Sequence, residues 1–262
     1  MPEDECRGLR WFCTDLDDTL TTDGLLPPHS FDALWRLSNA GIRTVVVTGR
    51  PAGWCDHIAR MWPVAGVVGE NGAFSFSYDR FKRRMERLYS RPLPEMAAER
   101  TDLARIADRV LREIPGTGMA ADQSYRISDF AIDFREDVPP LPPEEVARIC
   151  RILEDEGVRY KVSSIHVNYW RGDFDKLSRL RGFLEAGEGA PFQKIKNAVI
   201  FIGDSPNDEP LFGGLPLTAA VANILPFLDR MRSHPRYVTS AGHAEGFREA
   251  VDHILSRRGA GL

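Results

Sequence analysis

Cysteine is scarce in this chain. The 262 residues contain four, Cys6, Cys13, Cys55 and Cys150. None forms a Cys-x-x-Cys pair and their spacing fits no zinc pattern. They read as reduced thiols, mostly small core residues, in a cytoplasmic protein. Long apolar runs are missing too: nothing approaches the length that crosses a bilayer. The opening residues 1–10 are polar and acidic, without the apolar core of a signal peptide. Basic clusters are also lacking. The formal net charge is −4 and the Lys and Arg residues are scattered, which argues against a nucleic-acid footprint. No internal repeat or low-complexity tract is visible. What remains is ordinary globular material, 43% hydrophobic and 27% charged, long enough for one large domain or two smaller ones.

The two ends of the chain share one pattern. Trp11–Thr14 is a short apolar run ending in acids, as in a buried strand. Ser30 opens a helix that Gly41 stops. Ile42–Val47 is β-branched and nearly unbroken, as in a strand buried on both faces. A helix over Trp54–Met61 and a strand over Val64–Val68 follow. Late in the chain, Ala198–Ile202, Leu217–Ala222 and Tyr237–Thr239 read as further strands, and Phe247–Ser256 as a closing helix. Strands alternating with helices predict a parallel, Rossmann-like α/β sheet.

The middle differs. Phe74–Tyr78 and Met85–Tyr89 suggest a hairpin, and Met96–Ile114 a long helix. Tyr125–Phe134 and Tyr160–Tyr169 each read as a strand. The prolines at 139–143 mark a loop, and a helix from Glu144 to Glu156 follows. This predicts an inserted α+β unit at 80–167, with residues 1–79 and 168–262 forming the core.

Four constellations carry chemistry. Asp15-Leu16-Asp17-Asp18-Thr19 follows the first strand. Three carboxylates in four positions repel one another, so in a folded loop they need a cation or strong donors; the alternative is a solvated acidic turn. Thr48-Gly49-Arg50 follows the second strand, where a Thr can donate to an oxyanion and Gly lets the backbone approach; many such pairs are plain turns. Gly203-Asp204-Ser205-Pro206-Asn207-Asp208 places hard oxygen donors after a late strand, a set suited to Mg²⁺ or to an Asx-type turn. Lys176 is singled out only by its position, after a strand and opening a helix.

In order and spacing these segments resemble the four motifs of the haloacid dehalogenase-like phosphatases, and the insertion resembles the α/β cap of the type IIB members, such as the Cof-type, sucrose-phosphatase-like and mannosyl-3-phosphoglycerate phosphatase-like groups. Glu70-Asn71-Gly72-Ala73, Ala220-Val221-Ala222-Asn223 and Glu245-Gly246-Phe247 are further short matches. Two positions depart from the pattern. Leu177 follows Lys176 where Gly is common, which leaves Lys194 and Lys196 as alternative lysines, and Phe247 stands where Val is common.

The resemblance implies a Mg²⁺-dependent phosphomonoester hydrolase working through an aspartyl-phosphate. Asp15 would be the nucleophile and Asp17 the general acid–base. Thr48 and Lys176 would hold the phosphoryl oxygens. The metal would take Asp15, the Asp17 backbone carbonyl, Asp204, and Asn207 or Asp208. Gly49, Arg50, Asn71 and Arg126 are candidate substrate contacts, Arg126 having a surface position as its alternative. Tyr125, Lys161, Ser163, His166 and Asn168 are candidates to meet the leaving group, His166 and Asn168 sharing one strand face. The expected partner is a small phosphate ester, a sugar phosphate first, with no nucleic acid and no membrane. A phosphomutase of the same fold and a non-catalytic binding module are the rival readings.

Overall fold

The computed structural model describes residues 1–258. The chain runs through α1 (Glu3–Gly8), β1 (Trp11–Thr14), α2 (Pro28–Asn39), β2 (Arg43–Val47), α3 (Ala52–Met61), β3 (Gly66–Gly69), β4 (Phe74–Asp79) and β5 (Arg84–Tyr89). Next come α4 (Leu93–Glu113), β6 (Gly118–Met119), β7 (Phe130–Asp133), α5 (Pro143–Asp155), β8 (Arg159–Val162) and β9 (His166–Trp170). The return leg holds α6 (Lys176–Glu188), α7 (Phe192–Ile195), β10 (Val199–Gly203), α8 (Glu209–Gly214), β11 (Leu217–Ala220), β12 (Tyr237–Val238) and α9 (His243–Arg257).

Eight strands form one sheet in the order β12-β11-β10-β1-β2-β3-β4-β5. It is parallel from β12 to β3, and the β4–β5 hairpin adds antiparallel strands at the edge. Alternate residues bury opposite faces, as the two-residue period of a strand requires. Phe12, Val46, Ile200 and Ile202 pack with α2, α3 and α9, whereas Trp11, Cys13, Val45, Val47 and Phe201 pack with α6, α7 and α8. Covering on both faces is why these strands read as continuous apolar runs. Cys6, Cys13 and Cys55 are buried in this layer and Cys150 is half-buried, all as free thiols. The chain leaves β1 for β2 on one side and returns through β10 on the other. The carboxyl ends of those three strands therefore form a topological switch point, where open α/β sheets place their ligands.

A second, antiparallel sheet has the order β6-β7-β9-β8. Phe130, Ile132, Val167 and Tyr169 bury one of its faces against Leu103, Ile106 and Val110 of α4 and Ile149 and Leu153 of α5. Its elements lie between Leu93 and Trp170, so the expected span 80–167 cuts through both neighbours. Antiparallel pairing with β4, itself paired with β3, keeps β5 in the large sheet, and β9 runs on to Trp170.

Two strand readings are corrected here. Tyr125–Phe134 is a strand only over Phe130–Asp133, because the amides of residues 127–129 turn aside to bind the Glu70 carboxylate. Tyr160–Tyr169 is a hairpin and not one strand: Ser163 closes it, its N–H donating to the His166 carbonyl at 2.8 Å and its hydroxyl accepting from the His166 N–H at 3.0 Å.

Candidate active site

Asp15, Thr48 and Asp204 each stand one residue beyond the ends of β1, β2 and β10. The register pairs Thr14 with both Val46 and Ile202, which brings Asp15 and Asp204 side by side although 189 residues separate them. Asp15, Asp204 and Asp208 each offer a carboxylate oxygen within 4.8 Å of the others, and all three are buried. Lys176, the first residue of α6, reaches in from below. Its Nζ donates to Asp15 Oδ1 at 2.8 Å and to Asp208 Oδ1 at 2.9 Å.

Local sequence explains this placement. Asp175 caps α6 in a reciprocal capping box with Ser178, which fixes the helix start and so the lysine. Leu177, the departure noted above, lies against Gly214, where a Cβ would come within 2.4 Å of it; a small residue across the contact makes room for the larger one. Lys194 is exposed and Lys196 half-buried, and both precede the amino end of β10, so neither alternative reaches the cluster. Gly203 allows Asp208 to fold back, since a Cβ there would sit 2.2 Å from Asp208 Oδ2. That oxygen accepts the Asp204 N–H at 3.2 Å. Phe247 fills the core edge-on to Phe12, with ring centroids 5.6 Å apart, a packing role.

Three buried carboxylates against one ammonium leave an excess of negative charge. Burial raises the Asp15 carboxyl to about 8, with Lys176 opposing and Asp208 and Asp17 adding to the rise. Burial and the neighbouring Asp15 and Asp208 also raise Asp204 well above its usual range. Desolvation alone would lower Lys176, but Asp15 and Asp208 carry it above its ordinary value. A hard divalent cation is the group this donor set fits. Among the described residues, the Asp204 carboxylate is otherwise met only by long contacts, Thr19 Oγ1 at 3.2 Å and Asn223 Nδ2 at 3.3 Å. Asn223 also donates to the Asp18 carbonyl and accepts the His243 N–H, which ties the motif loops together. Asn207 lies at the rim of the cluster, its Oδ1 accepting from Ser205 Oγ at 3.0 Å.

The Asp17 side chain lies outside the three-carboxylate cluster and is gripped by Arg50. Thr48 is buried; its Oγ1 accepts the Arg50 N–H at 3.0 Å, which leaves its own O–H free to donate. Gly49 passes close under Asn71, 3.3 Å from a notional Cβ. Asp15, Asp17, Gly49, Arg50, Asn71, Arg126, Asp204 and Asn207 share the walls of one cleft with the loop 163–166 and Lys161 of the second sheet. The expected face sharing of His166 and Asn168 is observed, and the face is the cleft side.

Arg126 is not a surface residue. Its side chain is 1% exposed. It pairs with Asp122 and with Asp129, and it donates to the Gly49 carbonyl at 2.9 Å. With its donors spent in this way, it ties the second sheet to the loop after β2. Glu70 does the same from the other side: its carboxylate accepts the N–H groups of Ala52, Ile127, Ser128 and Asp129. Burial, and then Asp129, raise it to about 7 against those donors. The motif Glu70-Asn71-Gly72 is thus a structural joint. All three residues have positive φ, and a Cβ on Gly72 would collide with the Asp175 carbonyl at 2.1 Å.

Sequence reasoning missed the acids of the inserted unit. Asp122 and Asp129 hold Arg126. Glu136 meets Arg50 at 2.8 Å and lies 3.0 Å from His166 Nε2. Asp122 and Asp129 are lone acids in loops and Glu136 sits in an acidic turn beside Asp137, with no local pattern to mark any of them.

Residues 12–101 match the haloacid dehalogenase-like hydrolase family. The chain is 24% identical over 252 residues to a phosphoglycolate phosphatase of Methanobrevibacter smithii, covering 92% of this chain and 96% of that one. It is 28% identical to a phosphoglycolate phosphatase of Methanothermobacter thermautotrophicus, covering 94% and 99%. Among solved structures, a Thermoplasma acidophilum protein superposes with a TM-score of 0.70 at 18% identity, over 94% of this chain and 98% of that one. The Synechocystis sucrose-phosphatase superposes with a TM-score of 0.63 at 17% identity, over 95% and 98%. The fold, a mostly parallel core sheet with a separate antiparallel cap sheet, is that of these proteins. The haloacid dehalogenase-like hydrolase pattern thus covers residues 12–101, and the similarity to the two phosphatases extends over most of the chain. Its structural neighbours are of the Cof and sucrose-phosphatase kind, and it is an enzyme of the phosphatase class.

Proposed function

We propose that the protein is a Mg²⁺-dependent phosphomonoester hydrolase acting on a small phosphorylated metabolite. The observation that carries this reading is the convergence of Asp15, Asp204 and Asp208 on one buried point, with Lys176 bridging two of them. When bound there, Mg²⁺ supplies Lewis-acid neutralisation of the phosphoryl oxygens.

Every other step belongs to the chain. Asp15 attacks phosphorus and forms an aspartyl-phosphate. Lys176 and the free hydroxyl of Thr48 hold non-bridging oxygens. Asp17, whose side chain stands clear of the carboxylate cluster, gives a proton to the leaving oxygen and takes one from the water that hydrolyses the intermediate, a role typically contributing ~10²–10⁴-fold. The residues that would hold the cation are Asp15, Asp204 and Asp208, with the Asp17 backbone carbonyl and Asn207 as further oxygen donors.

The names of the two curated relatives make phosphoglycolate the first ester to try, ahead of the sugar phosphates that the sequence alone favoured. The test is Mg²⁺-dependent orthophosphate release from phosphoglycolate, hexose phosphates and nucleotides, with Asp15→Asn as the control. Release that survives Asp15→Asn, or none from any ester, would remove the proposal.

A further inference from the structure

Arg50, Arg126 and Lys161 line the cleft between the two sheets, Lys176 lies beside it in the adjoining cleft, and three of these four are already matched. Arg50 is paired with Asp17 and Glu136, Arg126 with Asp122 and Asp129, and Lys176 with Asp15 and Asp208. The fourth, Lys161, makes no ion pair or hydrogen bond among the described residues, although it lines both this cleft and the one that continues past Lys176.

Its direction follows from strand period. On β8, the neighbours Tyr160 and Val162 pack into the core of the inserted unit. Lys161 therefore points to the other face, opposite Asn168 in the register and toward Asp15 and Asp204. We propose that Lys161 sets substrate specificity by binding an anionic group, a carboxylate, on the leaving portion of a compact phosphate ester. This rests on the phosphatase reading above.

The argument is one of charge accounting. Desolvation and the nearby charge of Lys176 both lower Lys161, with the more distant acids opposing. A half-buried cation beside another cation is unfavourable until an anion reaches it. The phosphoryl group already has Lys176 and the acidic cluster's cation, so Lys161 is matched by charge elsewhere in the substrate. The lining suits a small, charged leaving group: among the described residues, Ile165 is the only side chain of the cleft between the sheets without a polar atom, and no Phe, Tyr or Trp lines it, Tyr160 and Trp170 lying in the adjoining cleft.

The experiment compares phosphoglycolate with ethyl phosphate, which has the same reach but no carboxylate, for the wild type, Lys161→Met and Lys161→Arg. The wild type is expected to prefer phosphoglycolate. Lys161→Met should raise its KM roughly ten- to hundredfold, the worth of a hydrogen bond to a charged group, and leave ethyl phosphate turnover within about twofold. Lys161→Arg should recover part of the difference. Equal loss on both esters, or no loss on either, overturns the assignment while hydrolysis of ethyl phosphate keeps the enzymatic reading. Wild-type protein that cleaves neither ester overturns the Lys161 assignment, and the enzymatic reading falls with it only if hexose phosphates and nucleotides are also left intact.

Discussion

Arg50 holds Asp17 in a fork: its Nε lies 3.1 and 3.0 Å from the two carboxylate oxygens, and its Nη2 lies 3.0 Å from Oδ1. The same Nη2 donates to Glu136 of the inserted unit at 2.8 Å. The proposed acid–base is therefore oriented by an arginine that is itself oriented by the second sheet's loop. Asp133 sets that loop by accepting the N–H groups of Arg135, Glu136 and Asp137. Replacing Arg50 by Met leaves Asp17 unmatched and Glu136 with His166 alone, at a site where the arginine side chain is 6% exposed. The expected loss is about 3–5 kcal/mol of stability, read as a lower urea midpoint, with kcat falling more than KM changes. Glu136→Gln should cost much less stability and lower kcat in the same direction.

Asp204 gives a sharper test of the metal site. Without a cation, Asp15, Asp204 and Asp208 repel one another in a desolvated space. Asp204→Asn should melt higher than the wild type in chelator, by roughly 2–4 °C for each kcal/mol of repulsion removed. In Mg²⁺ the order should reverse. The wild type gains about 2.7 kcal/mol at a hundredfold excess over Kd, whereas Asp204→Asn gains little and turns nothing over. Melting curves with chelator and with Mg²⁺ check both halves.

Gly203 has no chemistry of its own, yet the cluster depends on it. A methyl group there would sit 2.2 Å from Asp208 Oδ2 and 3.0 Å from the ring of Phe201. The ring is fully buried and cannot yield, so Asp208 must move, and with it the contact to Lys176. Gly203→Ala should weaken Mg²⁺ binding about 10–100-fold, as losses in the supporting shell of a metal site do. Titration of the melting temperature with Mg²⁺ measures it.

The catalytic half of the site was legible in the sequence because each part sits next to a strand the sequence announces. Asp15, Thr48 and Asp204 each follow a run buried on both faces, and such runs are hard to mistake. The joint to the inserted unit was not legible. Glu70 acts through four backbone N–H groups on two distant segments, and backbone donors leave no trace in residue identity. The structural role of Arg126, read as a substrate contact or a surface residue, was hidden for a similar reason: its partners Asp122 and Asp129 are ordinary loop acids until the fold buries them. The strand misread at Tyr160–Tyr169 failed on Ser163, whose hydroxyl closes a turn inside a run of otherwise strand-like residues.

The inserted unit carries its own pH signature. Glu156, just past α5, accepts from Arg105 at 2.6 Å and from Arg109 at 2.9 Å on α4. Hydrogen bonds from Arg105 first, then Arg109, lower its carboxyl from the ordinary 4.5 to about 2. A carboxyl depressed in the folded state binds fewer protons there than in the unfolded chain at intermediate pH, so stability rises with pH across that interval. The contribution is complete above pH 4.5 and is lost as the pH falls toward 2. Because both arginines reach solvent, its size is modest and salt-sensitive. Glu156→Gln should lower the urea midpoint at pH 6, and the gap to the wild type should close steadily between pH 4.5 and 2. A gap that stayed constant over that range would mean that the Glu156 charge contributes nothing and that its packing alone joins α4 to α5.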